Sequence, residues 1–312
     1  MAAPLQGLPF GPGGRDRLGA HGNAGPVPLH RRRGRSPLST AIRSTLAVLL
    51  LVPGLLVWDY RQLRLPLREV PWVALVGVAG LAMANFTYYY TISLTTVATA
   101  ILLQYMAPIL VALASALFLG ERPTRITLLA LALAVSGCFF MVKGYNPALL
   151  RLNLPGLISG LLSACAFAGY TLLTKRAVAQ MPSWTLLVYA YAFSTLFWWM
   201  LTPPWRLLSE GYPLRLWAIF FLIGAGGTIL PFALYTFGLT YLPATQVSII
   251  STMEPVVAAG AGFLLLGETL DPPQLLGGGL VVTGVILVQR QSATPRDLSR
   301  CDAGEASVVN YR

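Results

Sequence analysis

Of the eleven acidic residues in this chain of 312, only Glu254 lies deep inside a long apolar run, twelve residues after Leu242 and twelve before Leu266. In a helix rising 1.5 Å per residue, its carboxyl sits roughly 18 Å from either end of that run. A carboxylate at such depth is costly unless it is protonated, paired or turned to a watered cavity. Pro255 follows it and cannot donate to the carbonyl of Ser251, and Pro108 withholds a donor from Gln104 in the same way. The chemistry this points to is proton coupling or ammonium binding. The structural alternative is a carboxyl that serves the loosened backbone beside Pro255.

Other polar and aromatic residues fall where they could join it. Gln104 stands one turn before Pro108, and Gln246 two turns before Glu254 on the same helix face. Asn85, Tyr88 and Tyr89 occur at i, i+3 and i+4 of another run, while Tyr170 and Tyr235 lie in two more. Rings with one or two amides suit a compact amphipathic solute, an amino acid or a nucleobase-like compound. Tyrosines also fill helix interfaces in any bundle, which is the competing reading for all four rings.

The residues for other chemistries are missing or scattered. The Gly11–Gly14 cluster has no preceding strand and no following Lys-Ser/Thr, so it is no phosphate loop. His21 and His30 lie in the N-terminal stretch, and Cys138, Cys165 and Cys301 are far apart, so no metal site is assembled and no cofactor is called for. Cys138 and Cys165 read as core residues. A membrane enzyme would need two or three catalytic groups at one depth, which the sequence does not offer. The net charge of +11 is spread over loops and tails. It suits anionic lipid headgroups rather than nucleic acid.

These residues need elements that carry them across a bilayer. With 55% hydrophobic residues, 11% charged and a mean hydropathy of +0.66, the chain holds too much apolar surface for a soluble globule. Nine runs are long enough to span, near 41–58, 71–92, 94–119, 126–142, 155–173, 184–201, 216–237, 242–266 and 274–289. They must be helices, because lipid offers the backbone no other hydrogen-bond partner and the alternation of a membrane barrel is absent. The fold class is therefore an all-α integral membrane protein. Tryptophans gather where runs end, at Trp58, Trp72, Trp184, Trp198, Trp199, Trp205 and Trp217, as interfacial anchors would.

The chain is also duplicated. Thr95–Val142 and Leu242–Gln289 align without a gap at a spacing of 147 residues, with 13 of 48 positions identical. Pro108 matches Pro255, Gly120-Glu121 matches Gly267-Glu268, and Gly137 matches Gly284. Tyr235 takes the place of Tyr88. The small residues Gly277, Gly278, Gly279 and Gly284, with Ala130, Ala132, Ala134 and Gly137, read as sites of close helix contact. Two interrupted helices at matching positions of a repeat are the strongest sequence pointer to a transport site.

Loop charges orient the chain. With the C-terminus cytoplasmic, inside loops and tail hold eleven arginines and lysines and outside loops four. Lys175 and Arg176 count among the inside charges and read as topology signals. Residues 1–37 break the pattern: they are rich in Gly, Pro and Arg, with no apolar run. Their arginines, with Arg43, turn the charge count into a tie. A tenth helix before Pro37 would restore the balance, in which case the encoded N-terminus is truncated or not the natural one. A disordered extension is the alternative.

The runs Thr91–Glu121, with Pro108-Ile-Leu and Leu119-Gly-Glu-Arg-Pro, and Tyr235–Gly284, with Met253-Glu-Pro-Val, Leu266-Gly-Glu and Gly278-Gly279, resemble the two EamA repeats of the drug/metabolite transporter superfamily. The resemblance covers Pro37–Gln289. It implies an inverted repeat of EamA-type helical units with ten helices, of which nine are apparent here and the first is missing. The expected organisation is a basic tail over 1–37, a first repeat over 38–143, a second over 152–290 and a cytoplasmic tail over 291–312. The expected activity is secondary-active transport of small organic metabolites, amino-acid-like or related, by alternating access about a midplane site, with export as the expected direction, in a multi-pass cell membrane protein with a small-molecule substrate. A homodimer is compatible with this. The rival classes are a non-transporting scaffold or pairing subunit and an integral membrane enzyme.

Overall fold

The computed structural model describes residues 35–121, 123–150, 153–205 and 214–292. The expectations for the N-terminal stretch to residue 34, for the tail from 293, and for the charges on Arg122, Arg151 and Arg206 lie outside the described residues. Those described form nine apolar helices and no strand: α1 (Arg35–Trp58), α2 (Leu67–Leu94), α3 (Val97–Leu119), α4 (Arg125–Met141), α5 (Leu154–Val178), α6 (Ser183–Leu201), α7 (Trp217–Tyr241), α8 (Ala244–Leu266) and α9 (Pro272–Ser292). Most boundaries fall close to the sequence reading; α1 begins six residues before it, α2 begins four before it, α7 ends four after it and α5 ends five after it. That helix runs on past residue 173 to Val178, because Lys175 finds backbone partners for its ammonium at the helix end.

The helices zigzag between two faces. Short links on one face include the Gly120 turn and the α7–α8 link; the opposite face carries the Gly267 turn and the α2–α3 link. Both turns end a helix on a left-handed glycine, Gly120 at φ +69° and Gly267 at φ +67°. Beyond each, the following glutamate N–H returns to an equivalent carbonyl, Glu121 to Ser115 and Glu268 to Gly262, both at 3.2 Å. A side chain at either glycine would meet strained backbone, so the shared dipeptide serves to stop two helices alike.

The helices α4 and α9 form the tightest pair and show how the repeats relate. A Cβ on Gly137 would stand 2.6 Å from the Gly277 carbonyl oxygen, and one on Gly284 would stand 2.8 Å from that of Ala130. Gly277 is the repeat equivalent of Ala130, and Gly284 of Gly137. The two contacts are therefore one contact generated twice by a pseudo-twofold axis. Moving up α4 from 130 to 137 moves down α9 from 284 to 277, so equivalent helices run antiparallel and the repeat is inverted. Only small residues let the backbones meet this closely. Gly279 plays no such part, since a Cβ there meets nothing within 4 Å.

Elsewhere hydroxyls join helices across the bundle. Thr91 of α2 meets Ser159 of α5 at 2.7 Å, and Trp199 of α6 donates to Thr45 of α1 at 3.0 Å. Trp198, expected at an interface, is instead fully buried in α6, packed edge-on against Phe197. Its neighbour Trp199 alone faces α1. Cys138 is buried as expected, but Cys165 is exposed on α5, because its helix face points away from α2. The face of α5 that is buried covers α2 and α3. Its repeat equivalent would fall on residues 7–31, outside the described residues.

Candidate functional site

Both interrupted helices break at equivalent places. Helix α3 stops at Gln104, turns through Tyr105-Met106 and resumes at Ala107; α8 stops at Ser251, turns through Thr252-Met253 and resumes at Glu254. Each proline sits one residue into the resumed half, where its missing N–H costs nothing. Glu254 thus opens a half-helix at mid-bundle, in the first turn, where the helix dipole favours an anion.

A second pair of equivalent irregularities lies at the same level. Helix α2 is π-wound over Val76–Ala82 and α7 over Ala225–Ile229, offset by the repeat spacing. Such bulges turn side chains out of register and recur at functional sites. Asn85 uses the first: its Nδ2 donates to the Leu81 carbonyl at 2.7 Å. Thr228 of the second is held by two spans at once. Its Oγ1 accepts from Arg43 Nε of α1 at 2.8 Å, and its carbonyl accepts from the Tyr191 hydroxyl of α6 at 3.2 Å.

Glu254 is exposed at the start of the resumed half of α8. Its carboxylate acts electrostatically on the hydroxyls of Tyr88 in α2 and Tyr105 in α3 and on the thiol of Cys138 in α4. Tyr88 stands edge-on to Tyr89 with ring centres 5.5 Å apart, and the Tyr89 hydroxyl accepts from Arg43 Nη1 at 3.2 Å. The tyrosine pair on α2 is thereby tied to Arg43 of the first helix. Tyr105 also lines an open, largely apolar cavity of about 510 Å³, formed by Leu102, Leu103 and Met106 of α3 with Val135, Ser136, Phe139 and Phe140 of α4.

The expected residues divide between this region and the core. Gln104 is half-buried at the break of α3 beside Tyr105, Gln246 is half-buried in the first half of α8, and Asn85 lies one turn before Tyr88 and Tyr89. Tyr170 and Tyr235 lie in an aromatic cluster between α5 and α7. They stack at 6.2 Å within a cluster that includes Phe167, Phe232 and Tyr191, Tyr170 is 2% exposed, and the Tyr235 hydroxyl is paired with Thr171 at 2.7 Å. Duplication placed Tyr88 and Tyr235 alike. Their neighbours then diverged, because α7 brings Phe232 where α2 has Asn85.

Three residues with roles here carried too little sequence signal. Arg43 is the charged residue inside the first apolar run, and loop counting treats it as a topology charge. Tyr105 stands directly in the break of α3. Glu121, in the duplicated turn, accepts from the Ala244 N–H at 3.2 Å and so caps α8 across the repeat boundary. Lys175 is likewise more than a topology signal, since its Nζ donates to the carbonyls of Leu239 and Leu242 at 2.9 Å each, closing the end of α7. Arg176 lies over the Trp72 ring.

The halves of the broken helices are not used symmetrically. At the Gly120 face the second half of α3 packs on the first half of α8, with Val111, Ala168, Leu239, Ala244 and Val247 in one buried cluster. Their equivalents at the Gly267 face, the second half of α8 and the first half of α3, make no comparably extensive contact among the described residues. The cap differs too: Val97, the equivalent of Ala244, begins a half-helix capped locally by Thr96.

Comparison with known proteins agrees with this fold. The model of the EamA-like transporter family matches residues 30–143 and 154–290. An uncharacterized transporter of Archaeoglobus fulgidus is 33% identical over 216 residues, 68% of this chain and 76% of that protein. The threonine/homoserine exporter RhtA of Escherichia coli is 29% identical, covering 84% of this chain and 86% of its own. The pseudopaline exporter CntI of Pseudomonas aeruginosa is 30% identical over 72% and 76%. A solved crystal structure shares the fold, with a TM-score of 0.67 at 19% identity over 85% of this chain and 92% of that one.

Proposed function

Because this chain belongs to the EamA-like transporter family of the drug/metabolite transporter superfamily, and is a multi-pass membrane transporter of a small-molecule substrate, we propose that it exports small amino-acid-like metabolites by alternating access. The observation that carries this reading is the pair of equivalent helix breaks, with Glu254 opening the resumed half of α8 opposite Tyr88 and Tyr105. Inverted repeats joined by broken helices rock about a site at this depth, and unwound turns there offer backbone polar groups to a solute. Glu254 binds the ammonium or the coupling proton, with Tyr88, Gln104, Asn85 and Gln246 around it. Tyr170 and Tyr235 stiffen the wall behind them.

The asymmetry of the half-helices supports the cycle. The Gly120 face is closed by α3 on α8 and by the Glu121 and Lys175 caps, while the first half of α3 leaves a cavity beside α4 toward the Gly267 face. With the C-terminus in the cytoplasm, the orientation favoured when residues 1–37 and Arg43 are left out of the charge count, this is the outward-facing state. The exporter names of RhtA and CntI favour outward movement of amino-acid-related solutes. No phosphate loop is found in the sequence, so the energy comes from an ion gradient or from the solute's own.

The test is Glu254→Gln in proteoliposomes. The variant is expected to fold and melt like the parent and to lose flux, or to keep exchange while losing dependence on the proton gradient. Unchanged, gradient-driven flux would sink the assignment and favour a role in which Glu254 is replaceable.

A further inference from the structure

We propose that the cavity between α3 and α4 is a lipid site, filled by an acyl chain from the bilayer leaflet at the Gly267 face. This goes beyond the transport reading and does not depend on the role given to Glu254. The cavity holds about 510 Å³, within the range of about 300–1,000 Å³ typical of ligand pockets, and no charged side chain lines it. Its lining on α3 begins five residues after Val97, and its lining on α4 ends one residue before Met141. By helix rise the whole cavity lies within about 14 Å of the Gly267 face, in the hydrocarbon of that leaflet. Its mouth opens sideways. Met106 is exposed and shares a stripe of α3 with the exposed Leu113 and Leu117. Ser136 is exposed and shares a stripe of α4 with the exposed Leu129.

The walls cannot close this gap by moving. Leu103 packs on Gly160 of α5, where an added Cβ would stand 2.8 Å from the leucine Cβ. Phe139 packs on Gly144, with 2.5 Å from such a Cβ to its ring, and Phe140 on Gly277 of α9, with 2.7 Å to its own Cβ. Drawing any of the three inward would open a void behind it, so the space would only change place. Interiors are close-packed, and wall atoms without neighbours forfeit dispersion contacts. Water is a poor filler, since it needs about two to four polar partners and the lining side chains offer only the hydroxyls of Tyr105 and Ser136. The filler at hand in a bilayer is a hydrocarbon chain. It leaves one apolar medium for another, so the gain is packing rather than the hydrophobic effect, and occupancy follows shape. The end of the chain meets Tyr105, which stands in the break of α3 within the electrostatic reach of Glu254. Lipid is thereby brought against the broken helix itself.

The experiment reconstitutes the full chain in phosphatidylcholine vesicles in which part of the lipid carries a diazirine at the end of one acyl chain. The vesicles are illuminated, and the label is mapped by mass spectrometry of the digested protein. Label is expected to be several-fold denser at Leu102–Met106 and Val135–Phe140 than at the outward-facing Leu113, Leu117 and Leu129. Ser136→Phe, which fills the mouth from an exposed position, should bring the cavity label down to the level of those controls and leave theirs unchanged. Met106→Trp, from the other wall, should do the same, so that misfolding of one variant is not mistaken for loss of the site. Even label over cavity and controls in the parent, or cavity label that survives both substitutions, overturns the proposal. So does cavity label cleared by an excess of phenethylamine, a water-soluble apolar amine, which would make the cavity a solute path and not a lipid site. None of these readings needs flux, so failure here leaves the transport proposal standing.

Discussion

Glu121, at the end of the first repeat's hairpin, accepts a hydrogen bond from the backbone N–H of Ala244, the first residue of α8 in the second repeat, at 3.2 Å. The duplicated turn thus does double duty: Gly120 stops α3, and Glu121 caps the broken helix that carries Glu254. Lys175 lies within its electrostatic reach and ties down the end of α7 immediately before. The closed face is held by groups from both repeats, so opening it requires breaking a cap.

Removing that cap should bias the equilibrium. In a background without Cys138, Cys165 and Cys301, a single cysteine at Val247 reports opening of the buried cluster by its alkylation rate. Loss of an N-cap costs about 0.5–2 kcal/mol, so Glu121→Ala is expected to react about 2- to 30-fold faster. Glu121→Gln keeps an acceptor oxygen and should react close to the parent rate. Equal rates for all three would show that the cap does not hold this face.

The α4–α9 contact should tolerate no added bulk. Gly137→Val forces atoms into the Gly277 carbonyl and Val281, which already lie 2.6 Å from the position of a Cβ. Overpacking of this kind costs about 1–3 kcal/mol, read as a lowered Tm in detergent. Gly279→Ala, with open space around it, should melt with the parent. A Gly137→Val variant that melts normally would mean the two helices separate at no cost.

At the Gly267 face, Lys143 of the α4–α5 link pairs with Asp271 at 2.6 Å. The Lys143 ammonium hydrogen-bonded to Asp271 holds that carboxyl below its ordinary value of 3.8, and the same bond raises Lys143 above 10.5. The lowered acid contributes stability present above its unfolded value and lost as pH falls through the folded one. The raised base contributes stability present below its unfolded value and lost as pH rises through the folded one. The Tm difference between the parent and Asp271→Asn should therefore be small and flat from about pH 5 to 9, vanish in strong acid, and shrink with salt, since both groups are solvated. A difference that peaks inside that plateau would implicate another group.

Restoring the helix at the break should separate stability from transport. Pro255→Ala supplies an N–H that can reach the Ser251 carbonyl, and proline is the poorest helix residue by about 3 kcal/mol in an uninterrupted helix. The expected result is an unchanged or raised Tm with a flux lowered several-fold, measured on one preparation. An unchanged flux would show that the break is not needed for the cycle.

Much of this was legible in the residues. Membrane class, nine apolar helices of which eight are long enough to span, the duplication and the paired breaks at Pro108 and Pro255 all follow from apolar run length, a fixed spacing and the missing proline N–H, which act locally along the chain. The depth of Glu254 followed from counting, because helix rise is constant. The antiparallel relation of α4 and α9, and the bridge from Arg43 to Tyr89 and Thr228, could not be counted out. They depend on which helices become neighbours, and in a bundle nearly every span offers lipid and its partners the same apolar surface. That is why Tyr88 and Tyr235, identical by repeat position, ended in different surroundings, and why an arginine that looked like a topology charge lies between three helices. Sequence alone determined what crosses the membrane and where each helix yields. The tertiary structure decided which side chains meet there, since contact between distant segments comes from packing complementarity and not from any period in the chain.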